Sequence, residues 1–86
     1  MPIELSNSFV RAYDRLPPEA QERVDRTLRL LDEDWHHPSL RAKRLSGHQD
    51  IFYARVDRNH RITYERHGDV LLLRNVGRHD GTLKNP

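Results

Sequence analysis

Residues 51–76 constrain the fold more than any other stretch. In order they read "IFYARV", "DRNH", "RITYER", "HGD" and "VLLLRNV". The three longer segments are rich in β-branched and aromatic residues, and the separators are turn-like. A parallel crossover needs about a dozen residues, so connections this short join antiparallel neighbours. The last segment is apolar almost throughout, which predicts a central strand buried on both faces.

The residues before them read as helices. "SNSFVRAYDRLP" offers Ser6 or Asn7 as an N-cap and places Phe9, Ala12, Tyr13 and Leu16 on one stripe that Pro17 ends. "PEAQERVDRTLRLLDEDW" starts with Pro18 in the first turn and repeats Ala20, Val24, Leu28, Leu31 and Trp35 at helical spacing. Its final "DED" opposes the helix dipole. "HHPSLRAKRLSGHQD" is an irregular basic connector in which Leu40 and Leu45 are the expected anchors. Helices first and strands after them predict an α+β domain, a helical hairpin packed on a small curved antiparallel sheet. "PIEL" could add an edge strand.

Length bounds what else the chain can be. Its 86 residues make one domain, spanning residues 1–86, that must use its apolar residues economically. No cysteine is present, which excludes a disulfide framework and thiolate metal sites. His36 and His37 are adjacent, a spacing that turns neither toward a shared metal, so no metal or other cofactor is expected. The first residues lack the pattern of a signal peptide, and no run nears the roughly 20 apolar residues needed to span a bilayer. A soluble cytoplasmic protein is the expectation.

Charge is unevenly distributed. Up to Trp35 there are five arginines against eight acidic residues; from His36 onward ten basic residues face five acidic ones, and all six histidines lie there. The second half is the better receiver of a polyanion. The plain alternative is that arginine merely keeps a small sheet in solution.

Taken in order, "SFVRAYDRLP", "HPSLRAKRL-SG", "IFYARVDRNHRITYER" and "VLLLRNVGRHD" resemble the RelE/ParE superfamily of toxins from type II toxin–antitoxin systems. The likeness covers roughly residues 8–83, and it lies in the ordered set more than in any single piece. It implies a helical hairpin on a small antiparallel sheet, in agreement with the fold read from the pattern. The RelE branch implies a ribosome-dependent endoribonuclease, an mRNA interferase that cuts A-site mRNA. The ParE branch implies a gyrase inhibitor, and a third possibility is a relative that keeps only antitoxin binding. A cognate antitoxin protein is the implied partner, with the ribosome and mRNA as the implied target.

Cleavage of RNA by its own 2′-hydroxyl needs a base for that proton, a cation for the phosphorane and an acid for the leaving 5′-oxygen. His79 follows the apolar strand, with Gly77 as the point where the chain leaves it. An imidazole can act as acid or base near neutrality. The resemblance implies a catalytic residue in this closing motif; the alternative is a histidine that caps the strand or pairs with Asp80. Arg61 matches the family's arginine near the scissile phosphate, and a guanidinium suits a phosphorane. It could equally be a cross-strand partner for Glu65 or Asp57. Arg41, Lys43 and Arg44 can grip an RNA backbone, and Lys43 could act as the base if burial lowers its pKa. His48 and Asp50 are weaker bases. Arg55, His60 and Arg78 complete the expected RNA contacts. Leu83 stands where relatives often carry a base-stacking aromatic, a role that Tyr53 or Tyr64 could fill.

Overall fold

A computed structural model describes all residues, Met1–Pro86. Strand β1 (Ile3–Leu5) leads into helices α1 (Asn7–Asp14) and α2 (Pro18–Glu33). A single 3₁₀ turn at Pro38–Leu40 precedes β2 (Lys43–Arg44), β3 (Ile51–Arg55), β4 (His60–His67) and β5 (Val70–Arg78), and the short helix α3 (His79–Lys84) follows. The sheet order is β1-β5-β4-β3-β2.

The α+β architecture agrees with the sequence reading, and the three long strands pair antiparallel as their short turns require. The "PIEL" segment does form an edge strand. It runs parallel to β5, with Ile3 opposite Leu71, so the sheet is mixed rather than purely antiparallel. That pairing is possible because the helical hairpin serves as the crossover between β1 and the rest of the sheet.

Local chemistry sets the helix ends. The Ser6 hydroxyl accepts from the Phe9 N–H at 3.1 Å and caps α1. Pro18 occupies the first turn of α2, where its missing N–H costs nothing. This helix stops at Glu33, short of the expected Trp35, because Asp34 adopts an extended backbone (φ −153°). The acidic end is partly compensated by the Met1 amino group, which donates to the Asp32 carbonyl. Trp35 leaves the helical stripe and lies against Arg66 instead.

The core lies between the hairpin and one sheet face. Phe9, Val24, Leu31 and Leu40 meet Ala54, Ile62, Tyr64, Leu71, Leu73 and Val76 there, all essentially inaccessible. A β-bulge makes this possible on β5. Thr63 opposes Asn75 while Tyr64 opposes Leu73, leaving Arg74 as an extra residue. Without it, Leu73 and Val76 would point to opposite faces. Strand β5 is therefore interior but buried by alternation, not on both faces as its apolar run suggested. Leu40 and Leu45 are both buried and anchor the connector as expected. Each fully buried leucine stabilises by about 1.5–3 kcal/mol, enough to fix a segment that is otherwise polar.

The second sheet face is covered by α3 and the residues after it. Pro86 carbonyl oxygen accepts from the Thr63 hydroxyl at 3.0 Å and from Arg74 Nε at 3.2 Å. Asn75 Nδ2 donates to the Asn85 carbonyl at 2.8 Å. Strand β5 runs through Gly77, which pairs with Arg61, so the chain leaves the sheet one residue later than expected. The glycine serves close packing: a Cβ there would meet Thr82 of α3.

Candidate functional site

The site begins at the β3–β4 turn, "DRNH". Asp57 Oδ1 accepts from the backbone N–H groups of Asn59 (2.8 Å) and His60 (2.9 Å) and lies 2.9 Å from His60 Nδ1. An aspartate that gathers local N–H donors is a self-made turn. Burial pushes the Asp57 carboxyl upward, but the His60 and Asn59 hydrogen bonds outweigh it and hold the group below the usual carboxylate value. The turn is thereby rigid, and it fixes Arg61. Nη1 of Arg61 donates to the carbonyls of Asp57 (2.7 Å) and His60 (2.9 Å), which orients the guanidinium while leaving its other donors free of protein partners.

Strand β5 brings the second wall. The His79 N–H donates to the Asn59 carbonyl at 2.8 Å, tying the start of α3 to the turn. Arg78 is the N-cap of α3 and His79 its first residue. His79 is about half exposed (48%), with Nδ1 3.2 Å from Asp80 Oδ1. The imidazole pairs with Asp80, as one of the two readings from the sequence has it, and it also lines a cleft.

That cleft has a volume of about 660 Å³ and is lined by Arg58, Asn59, Arg61, Arg78, His79, Asp80 and Gly81, with no apolar side chain. Three guanidinium groups face one carboxylate. Arg55 stands directly opposite Arg61 across the β3–β4 pair. None of Arg55, Arg58, Arg61 and Arg78 has a carboxylate within 4 Å, because the ion pairs of the chain involve other residues. Directly opposed like charges cost up to about 1 kcal/mol, a cost that an anion placed between them removes.

The expected residues divide into three groups. His79, Arg61 and Arg78 line the cleft together, and Arg55 adjoins it. His60, expected at RNA, is held on Asp57 with only 14% of its side chain exposed and does not line the cleft. Arg41 and Arg44 open onto a separate cleft beside Trp35, whereas Lys43, opposite Tyr53 in the β2–β3 pair, lies on the sheet face that carries Arg55 and Arg61. Tyr64 is core, 1% exposed and stacked on Phe52, which removes it as a stacking surface for the His79 cleft. Arg58 and Asn59 were read only as turn residues. The signal was present in the arginine at the tip of a tight turn opposite the "GRHD" motif, but pairing of β4 with β5 is needed to see it.

No family model matches the sequence, and no curated protein matches it. Solved structures do. The RelB–RelE antitoxin–toxin complex from Methanococcus jannaschii contains a chain with TM-score 0.76 and 18% identity, covering 94% of this chain and 95% of that one. YafQ from E. coli gives TM-score 0.73 at 17% identity, covering 93% of this chain and 94% of that one. A YoeB/ParE toxin from Agrobacterium tumefaciens gives 0.72 at 17% identity, covering 92% of this chain and 99% of that one. The chain has the fold of these RelE/ParE-type toxins over nearly its whole length.

Proposed function

We propose that the protein is the toxin of a type II toxin–antitoxin pair and cleaves mRNA on the ribosome. The observation that carries this reading is the group of four arginines without carboxylate partners around His79. Unpaired guanidinium groups at the rim of a wholly polar cleft suit a phosphodiester, and an imidazole among them suits proton transfer to its leaving oxygen.

In this reading Arg61 and Arg78 hold the phosphate and stabilise the phosphorane as the ribose 2′-oxygen attacks. The phosphorus–O5′ bond breaks, and His79 gives its proton to the departing oxygen. The products are a 2′,3′-cyclic phosphate and a 5′-hydroxyl. Asp80 holds the imidazole through Nδ1. Asp80 is also the one carboxylate lining the cleft. Lys43, on the same sheet face as Arg61, acts as a further phosphate contact. The partner is a cognate antitoxin, by likeness to the RelE–RelB and DinJ–YafQ complexes, which are toxin–antitoxin assemblies.

The test is cleavage of a short mRNA on programmed ribosomes by purified protein. Wild type should release a 5′-hydroxyl fragment, and His79→Gln should slow release by at least about 100-fold. Equal cleavage by the variant, or none by folded wild type, contradicts the proposal.

A further inference from the structure

Because α2 ends at Glu33, it leaves the β2–β3 edge of the sheet's core-side face without a helix above it. The connector crosses this gap and leaves a second cleft of about 320 Å³, at the small end of ligand sites and closer to one nucleotide than to a helix. Two aromatic groups bound it. Trp35 and His36 lie with ring centroids 3.7 Å apart, and Phe52 stacks on the buried Tyr64 at 5.8 Å. Cations already sit on these rings: Arg66 is 5.0 Å from the Trp35 centroid and Arg44 is 5.4 Å from that of Phe52.

The charge of the cleft is one-sided. Arg41 and Arg44 line it, no carboxylate does, and neither has an ion-pair partner elsewhere. Arg41 also adopts a left-handed backbone (φ 47°), the one non-glycine residue in the chain to do so. Such a conformation costs roughly 1–2 kcal/mol at a non-glycine residue. It is held by the Arg41 N–H bond to the Pro38 carbonyl at 3.1 Å. A glycine would be cheaper there for the backbone.

We propose that this cleft binds one unpaired nucleotide of an RNA strand, with the base against His36 and on Phe52 in place of the Arg44 guanidinium, which turns with Arg41 to the phosphate. Aromatic surfaces beside unpaired cations are the general chemistry of single-strand binding. The site supplies, away from the His79 cleft, the base-stacking surface that the Leu83 segment lacks. It rests on the RNA reading above for the source of the nucleotide.

Trp35 is the only tryptophan, so its fluorescence reports occupancy directly. The full chain is titrated with AMP, with UMP and with a short single-stranded oligoribonucleotide, each against ribose 5-phosphate. Saturable quenching by the nucleotides and the oligonucleotide, with ribose 5-phosphate weaker by at least about tenfold, is the expected result. Arg41→Gly suits the left-handed backbone and keeps the fold; it and Phe52→Leu should each weaken binding by about tenfold. Should Phe52→Leu fail to fold by circular dichroism, Arg41→Gly and Arg44→Gln carry the comparison.

An equal response to ribose 5-phosphate would reduce the site to an anion patch and overturn the proposal. So would the absence of quenching in folded wild type, or quenching by an acidic amphipathic peptide and not by nucleotides. Cleavage of mRNA without nucleotide quenching would overturn this site and leave the nuclease reading standing. Quenching without cleavage would do the reverse.

Discussion

A Cβ placed on Gly77 would lie 2.7 Å from Thr82 Oγ1, nearer than side-chain packing tolerates. With Thr82 in place, strand β5 and helix α3 therefore pack this closely because residue 77 has no side chain. The consequence reaches His79, which starts α3 two residues later.

Gly77→Ala should thus push α3 off the sheet. We expect a loss of about 1–3 kcal/mol, typical of overpacking, together with a fall in cleavage as His79 moves. Adding Thr82→Ala should recover most of the stability, since it deletes the opposing oxygen. Urea midpoints of the two single variants and the double variant measure the coupling, and strict additivity would contradict the contact.

Asp57 gives an acid-limb prediction. Its folded carboxyl lies below the usual value, so the fold favours the ionised form. That stabilisation is complete above the ordinary carboxylate pKa of about 3.9 and is lost as pH falls through the lower folded value. Asp57→Asn keeps an acceptor for the Asn59 and His60 N–H groups but removes the charge. The stability difference between wild type and variant should be constant near neutrality and shrink below about pH 4. A difference that persists unchanged in acid would contradict it.

The alkaline limb involves two tyrosines. Burial pushes the Tyr64 phenol up to about 12. A hydrogen bond to Asp25, 2.7 Å away, raises Tyr13 as well. Raised phenol pKa values contribute stability that is full below the unfolded value near 10 and is lost as pH rises through the folded ones. Stability should fall above about pH 10, and Tyr13→Phe should lower stability near neutrality by about 1 kcal/mol. A variant as stable as wild type there would show that the α1–α2 tie is ornamental.

The arginines of the His79 cleft should each act as a phosphate contact. Arg58→Gln and Arg78→Gln should each reduce the slope of log affinity for single-stranded RNA against log salt by about 0.7. Filter binding at several salt concentrations measures this. An unchanged slope in both variants would place the RNA elsewhere.

The parts of the fold that were legible in the sequence are those with local causes. Ser6 caps α1 because its hydroxyl reaches Phe9, three residues away. The Ile51 to Val76 strands follow from side-chain type and short turns. What was not legible depends on distant partners. The parallel pairing of Ile3 with Leu71 joins residues far apart in the chain and leaves no local trace. Helix α3, "HDGTLK", contains Gly81 and is too short for a periodic apolar stripe, so only packing on β4 and β5 makes it a helix.

The same distinction applies to the site. His79 and Arg61 carried family-like positions and chemistry, and the structure brings them to one cleft. Lys43 was a candidate base only if burial lowered its pKa, and strand β2 is exposed at the sheet edge, two strands from β4. Arg58 was invisible as a site residue, because a turn arginine acquires a role only once β5 delivers His79 beside it.

The most direct test maps 5′-hydroxyl RNA ends in a bacterial host after brief induction of wild type, His79→Ala and Arg61→Ala. New ends within translated reading frames, in wild type and not in either variant, are the predicted result. Growth arrest by wild type without new ends would contradict ribosome-dependent cleavage and direct attention to a different target.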